Sequence, residues 1–430
     1  MSNRALFALA SVLVAVAVAV IGCPQSAAGP TYHRDIAPLF AERCAQCHQD
    51  GGIGPFPLIT YDDVVAHKDE VGFAVSSRLM PPSNVDASGT CRKYQDSRWL
   101  SDDEVQTVVD WVAADAPEGD REPTEPKLPA LDVLDDANFF VEMPVEYTPQ
   151  GTAEHENDDY RCFLLDGPEA DAYVTGFEIL PGEPREVHHM LLVGSLDAQT
   201  DQQAQQSDDA DPRPGFECFA NFATAGNINF LAGWAPGKDV VRYPDQTGLF
   251  IAGGHKLIMQ VHYNLLGGPG LPDVTALKLR TAPSVPKEAS VFPIADESLD
   301  VPPGQRAGIY KFSIPLAGIT DDLDVYGVFP HMHQLGQTLH FELQPLGDND
   351  PAKAFCMTDV WRWDFHWQQL FIYDQPIRMK ASDVLNVSCT YNTMGRTSDV
   401  MWGEGTQDEM CLVGIYVARP HGGSLDALFP

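Results

Sequence analysis

From residue 136 onward the chain is broken into short apolar segments by glycine, proline and aspartate, and this rhythm restricts the fold more than any other feature. The segments are 190–193, 256–263, 276–280, 308–314, 323–328, 338–343, 385–390 and 412–417. Their spacing predicts antiparallel β-sandwiches rather than βαβ units. About 290 residues of this texture exceed one sandwich, so two are expected, over 136–285 and 286–430, with a seam at 284–293.

Upstream the texture is different. Residues 32–117 read as mostly helical, over 35–43, in patches of 61–80, and after the capping box Ser101–Glu104. There Val105, Val108, Val109 and Val112 are spaced for one buried face. A segment rich in proline and charge, Glu122-Pro123-Thr124-Glu125-Pro126, marks an exposed linker over 119–135. Arg4 followed by the apolar run 6–21 reads as a secretion signal, short for a membrane span. It ends in Val20-Ile21-Gly22-Cys23, which resembles a lipobox. Residues 1–23 are then a lipoprotein-type signal with Cys23 as lipid anchor; plain cleavage near Ala27-Ala28 is the other reading. Either way the protein is expected outside the cytoplasm, in the periplasm or at the cell surface, and with lipidation it is membrane-anchored through Cys23.

Net charge is 27 − 61 = −34, which argues against nucleic acid as a partner. Acidic runs such as Asp208-Asp209-Ala210-Asp211 are expected to be solvated loop. Export permits disulfides. Of nine cysteines, Cys23 belongs to the leader and Cys44 and Cys47 to the motif below. Among the remaining six, Cys389 with Cys411 and Cys162 with Cys218 flank β-rich stretches and are reasonable pairs. Cys91 with Cys356 follows only by elimination and stays open.

The run Cys44-Ala45-Gln46-Cys47-His48 is the attachment motif of a c-type haem, with His48 as proximal ligand. Met80 is the only methionine between Tyr32 and Pro117 and is the expected distal ligand, with His33 and His67 as competitors. His/Met ligation suits electron transfer. The small size, the helices and the motif together resemble a class I cytochrome c over 31–118.

Four further clusters follow in order: Val187-His188-His189-Met190, Gln260-Val261-His262-Tyr263, Pro330-His331-Met332-His333 and Asp408-Glu409-Met410-Cys411. Three imidazoles suit one copper site, and two imidazoles with a thioether suit another that must be stable as Cu(I). His188 and His189 are adjacent, so both can reach one ion only where the strand bulges or ends. His331 and His333 are two apart and project from one strand face. Zinc is the alternative for His331 and His333 taken alone, but it has little use for a thioether. Met410 by itself reads as a core gap-filler, and only the company of the other motifs makes it a ligand. His155, His255, His340, His366 and His421 have no partner spacing. The aromatic run 361–367 could line a cleft, carry electrons or pack between domains.

The ordered motifs resemble the copper type II ascorbate-dependent monooxygenases, the peptidylglycine α-hydroxylating and dopamine β-hydroxylating enzymes, over about residues 136–425. With the small all-α cytochrome c domain read upstream, the fold is expected to be multidomain; the resemblance implies a pair of all-β antiparallel, jelly-roll-like sandwiches facing across a water-filled cleft. It implies an electron-storing copper on His188, His189 and His262, and an oxygen-binding, catalytic copper on His331, His333 and Met410. It further implies hydroxylation of a C–H bond of a small organic substrate with O2. Electrons would come from ascorbate or a redox protein, relayed through the fused haem. The chain departs from the peptide-amidating branch at Phe329, Leu412 and Gly414, where that branch carries Arg, Asn and Tyr to anchor a substrate carboxylate. An uncharged substrate is therefore expected. The alternative is a non-catalytic copper-binding or electron-transfer protein on the same fold.

Overall fold

The computed structural model describes residues 29–420 except 51, 53, 122–126, 152–155, 219–225, 236–239, 266–267, 317–321, 349, 366, 404 and 406–407. The expected leader with Cys23, the centre of the expected linker, and His155, His366 and His421 lie outside the described residues.

Five helical segments open the described chain: a π turn Tyr32–Ile36 continuing into Ala37–Arg43, then Tyr61–Ala66, Lys68–Ser76 and Asp102–Ala113. Two of them start where local chemistry satisfies the free N–H groups: Thr60 with Asp63, and Ser101 with Glu104, form reciprocal capping boxes. Ile36, Phe40, Val64, Val71, Val108 and Trp111 close a small core between them. The expected all-α unit is not self-contained. Between the last two helices an arm leaves it, bridges Val85 to Val360 and Tyr94 to Tyr373, and buries both side chains in the core of the second sandwich. The disulfide Cys91–Cys356 fastens this arm, and Cys162–Cys218 and Cys389–Cys411 are also formed.

All eight anticipated β segments fall inside strands. One sheet runs through both sandwiches in the order Phe139–Glu142, Ala276–Ala282, Ala172–Leu180, Thr247–Ile251, Lys287–Ala295, Leu412–Ala418, Leu323–His331, Phe371–Met379. A five-stranded sheet covers its first half: Phe216–Glu217, Asp158–Asp166, Lys256–Asn264, Val187–Ser195, Ile228–Trp234. A four-stranded sheet covers the second: Gly308–Pro315, Asp383–Tyr391, Gly336–Pro345, Phe355–Val360. The sandwiches are thus joined rather than merely adjacent. The strand at the expected seam, Lys287–Ala295, pairs in parallel with Thr247–Ile251 and antiparallel with Leu412–Ala418. Along Leu412–Ala418, Val413, Ile415 and Val417 enter the second core while Tyr416 and Ala418 enter the first. A strand buried on both faces reads as a continuous apolar run, which is what this segment is.

One expected loop has a structural role. Asp208–Ala210 end a polar helix, Ala198–Ala210, and Asp211 caps it. Asp211 Oδ2 accepts from Arg161 Nη1 at 2.8 Å, and Arg161 Nη2 donates to the carbonyls of Pro214 (2.8 Å) and Gly215 (2.6 Å). Arg161 is fully buried. Arg161→Met should therefore lower the unfolding free energy by about 1–3 kcal/mol, because the half-buried Asp211 carboxylate and two carbonyls lose their donor. Urea denaturation measures this, and an unchanged midpoint would show that the buried charge contributes nothing.

Candidate metal centres

The first cluster stands on the five-stranded sheet. Pairing between Val187–Ser195 and Lys256–Asn264 passes from Val187↔Tyr263 directly to His189↔His262, so His188 is the extra residue of a bulge. The irregularity required for adjacent histidines to converge is present. Ligand-capable atoms of His188, His189 and His262 all lie within 4.8 Å of one another. His262 Nδ1 is 3.3 Å from His189 Nδ1, and its Nε2 is paired at 2.8 Å with Asp158 Oδ1. A carboxylate on the far nitrogen orients an imidazole and raises its basicity as a ligand. Tyr160 stacks on the same ring at 3.9 Å.

The second cluster forms where the shared sheet ends. His331 is the last residue of Leu323–His331, and His333 stands beyond the strand, so their convergence depends on the turn rather than on strand alternation alone. Their ring centroids are 5.1 Å apart. Gln368 Nε2 donates to the Phe365 carbonyl at 2.8 Å, which leaves its Oε1 to accept from His331 Nδ1 at 2.7 Å. His333 Nδ1 faces the Asp408 carbonyl at 3.1 Å. Both imidazoles are thereby set in the tautomer that leaves Nε2 with a lone pair. The ladder pairs Pro330 with Val413 and ends at His331 with Leu412; just beyond it the Glu409 carboxylate and the Asp408 carbonyl both contact His333, and Met410 is the next residue in that turn. Met410 is buried, and its carbonyl accepts from Tyr391 Oη at 2.9 Å. Glu409 holds the turn: its carboxylate accepts the backbone N–H of His333 (2.8 Å) and of Leu335 (2.5 Å).

Between the clusters stands one ring. Phe365 stacks on His188 at 4.5 Å and lies 6.2 Å from His333, edge to face. Where the resemblance implies a water-filled cleft, a phenylalanine fills the space between these two side chains. Burial drives the imidazoles toward the neutral form. It holds His189 well below the usual range, with repulsion from His262, His188, His331 and His333 adding to the effect. Burial also lowers His262 and His331 against the opposing pull of Asp158 and Gln368. For His333, burial and then His331 bring the pKa to about 3. Neutral imidazole is the form that binds a metal.

At the helical end, Cys44, Cys47 and His48 follow Ala37–Arg43 in one further turn, with His48 N–H donating to the Cys44 carbonyl at 3.0 Å. Neither cysteine is in a disulfide. Burial, and then Cys47, push the Cys44 thiol up to about 12, so with no group bound it is protonated. His48 Nδ1 faces the Phe56 carbonyl at 2.8 Å, which leaves Nε2 as the nitrogen able to bind a metal. A Cβ at Gly54 would come within 2.7 Å of the His48 ring. Met80 is 42% exposed, beside Trp99, Leu100 and Val105 along a small crevice. The competitors are engaged: His33 pairs with Glu118, and His67 stacks on Phe56. His255 pairs with Asp201, and His340 with Asp359 and Glu342.

Comparison with known proteins agrees with this arrangement. Residues 147–267 match the N-terminal domain of copper type II ascorbate-dependent monooxygenases, and residues 301–420 match the C-terminal domain. Together the matches cover over half of the chain, which belongs to this family of copper enzymes. His188, His189 and His262 fall in the first match; His331, His333 and Met410 fall in the second. Among relatives, tyramine beta-hydroxylase of Caenorhabditis briggsae is 26% identical over 251 residues, 55% of this chain and 40% of that protein. DBH-like monooxygenase protein 2 of Mus musculus is 25% identical over 222 residues, 46% of this chain and 34% of that protein. Peptidyl-glycine alpha-amidating monooxygenase A of Xenopus laevis is 23% identical over 306 residues, 67% and 29% respectively. The chain spans less than half the length of these relatives.

Sequence reasoning missed Asp158, Gln368 and Glu409, which orient the clusters from distant parts of the chain. Unfolded histidine takes up a proton below about pH 6.5, whereas native His333 refuses one until about 3. Between these values the unfolded state binds more protons, so the stability of metal-free protein falls as pH falls. One such group accounts for about 2 kcal/mol between pH 7 and pH 5. His333→Gln should flatten that part of the profile, as measured by chemical denaturation at both pH values. An equal slope in variant and wild type would show that His333 titrates normally.

Proposed function

We propose that the chain is an exported copper monooxygenase that hydroxylates a C–H bond of a small, uncharged organic molecule with O2. The observation that carries this reading is the pairing of two unlike ligand sets, three histidines and His-His-Met, on the two family domains and on either side of one ring. His188, His189 and His262 hold one ion, and His331, His333 and Met410 hold the other. Copper supplies one-electron storage at the first set and oxygen activation at the second. The protein keeps the imidazoles neutral by burial and orients them through Asp158, Gln368 and the Asp408 carbonyl. The thioether favours the reduced ion and distinguishes the second set from a zinc site.

Substrate class follows from the wall beside His331. Phe329 pairs with Gly414 and His331 with Leu412 across adjacent strands, so the three departures from the peptide-amidating pattern form one patch. None of them offers a charge or a hydrogen-bonding side chain. A peptide carboxylate has no partner there.

Cys44, Cys47, His48 and Met80 would hold a haem c, with ascorbate or a redox protein as the source of single electrons. Two cysteines outside any disulfide, the oriented imidazole and the close approach of Gly54 fit such a group. Haem supplies one-electron transfer at fixed coordination. Three disulfides fit the oxidising compartment to which the leader would deliver the chain, anchored at Cys23.

Purified, metal-loaded protein should contain two coppers and one haem that resists acid–acetone extraction. Extractable haem, or full copper retention in a His188→Ala/His331→Ala double variant, would refute these assignments. Turnover under 18O2 should place one labelled atom in the product; a single copper per chain without incorporation would instead mark a non-catalytic electron carrier. Met410→Ala should leave the first centre loaded and lower turnover about 10–100-fold, as loss of a metal-tuning group typically does. Unchanged turnover at normal copper content would return Met410 to a packing role.

A further inference from the structure

The segment Trp361–Gln368 touches the helical unit at one end and both histidine clusters at the other. Trp361 meets Trp99 edge to face at 5.9 Å, and Arg362 Nη1 donates to the Ser77 carbonyl at 3.5 Å. Trp363 Nε1 donates to the His333 carbonyl at 2.8 Å, Phe365 stacks on His188, and Gln368 accepts from His331. At its middle the segment is gripped by a single side chain from the arm. Asn84 Nδ2 donates to the carbonyls of Asp364 (3.2 Å) and Trp367 (2.5 Å), and its Oδ1 accepts from Asp364 N–H at 3.0 Å. Asn84 is 2% exposed, so these groups have each other rather than solvent. The two carbonyls it ties bracket Phe365 in sequence.

We propose that Asn84 is a positioning residue for both metal centres: by holding the 364–367 turn it sets Phe365 against His188 and Gln368 on His331. It contacts neither cluster itself. Groups that orient a metal-ligating histidine from outside the coordination sphere commonly change metal affinity by about 10–100-fold when removed. Asn84 acts one step further out and on two clusters at once. The arm that supplies it also carries Met80 four residues earlier, with Pro81 and Pro82 restricting the backbone between them. The placement of the N-terminal unit and the shape of both centres therefore depend on one short stretch of chain.

This inference rests on the copper reading above, and the test separates the two. In the full chain, Asn84→Asp keeps side-chain size but turns an oxygen toward each of the two carbonyls. Competition of Cu(I) against a chelator should show both centres weakened about tenfold or more, and the Cu(II) EPR spectrum should change. Gln368→Ala should cost less in the Asn84→Asp background than in wild type, since both act through one turn. Gln95→Ala is the control: it loosens the same arm by removing the bond from Gln95 Nε2 to the Tyr373 carbonyl, and should leave copper affinity unchanged. Should Asn84→Asp misfold, Asn84→Ser, which retains a donor, should give an intermediate loss. Wild-type affinity and spectrum in the Asn84 variants, or an equal loss in Gln95→Ala, would overturn the proposal. Wild-type protein that binds no copper would instead overturn the reading on which it rests.

Discussion

Everything at the metal centres depends on the shared sheet, and above all on the strand Leu412–Ala418, whose alternate side chains belong to different cores. A slip of one residue would send Val413, Ile415 and Val417 into the first core and Tyr416 and Ala418 into the second. That penalty fixes the register against Leu323–His331, and just past the last pair, His331 with Leu412, the turn carrying Met410 reaches His333 through Asp408 and Glu409. On its other edge the same strand pairs with Lys287–Ala295, whose parallel contact with Thr247–Ile251 carries the sheet into the first sandwich. The five-stranded sheet bearing His188, His189 and His262 packs on that half. Two ligand sets far apart in sequence are thus held in one frame.

The frame brings five imidazoles together in a buried region, which is an electrostatic constraint of its own. Protonating several of them would place like charges within a few ångströms in low dielectric, so the cluster excludes protons. A buried neutral imidazole still requires a partner for its N–H, and Gln368 Oε1 and the Asp408 carbonyl provide one at the second cluster. Asp158 does so at the first. With one nitrogen of His331 and of His333 committed in this way, the other is left for a cation, whose binding energy would add to folding stability.

Strand periodicity and motif spacing are local signals, and they located what local signals can locate. All eight short apolar segments became strands, and the demand for a bulge at His188-His189 followed from strand alternation alone. The polar helix Ala198–Ala210 was missed because it has almost no apolar face to create a 3.6-residue pattern. The arm at 84–94 was missed for a different reason: Val85 and Tyr94 are apolar residues whose core lies more than 250 positions away. Asn84, Asp158, Gln368 and Glu409 are ordinary polar residues by composition. Their roles exist only through partners brought by tertiary structure, although the density of aromatics at 361–367 did mark the segment on which two of them converge.

The replacement of three polar anchors by Phe329, Leu412 and Gly414 bears on how selective the proposed enzyme can be. A site that hydrogen-bonds a substrate group rejects analogues lacking it by about 10⁴–10⁵, because its own polar atoms are then left unpaired. An apolar wall has no such penalty to impose, and discriminates by only about 1–3 kcal/mol per methylene. Phe329 lies nearly parallel to His331, with ring centroids 6.4 Å apart, and a Cβ at Gly414 would meet Phe329 at 3.4 Å. That contact is with the Phe329 Cβ and is an ordinary van der Waals distance, so a methyl at 414 would fit against Phe329. Selectivity of the proposed enzyme on this surface would be graded by shape rather than switched by a charge.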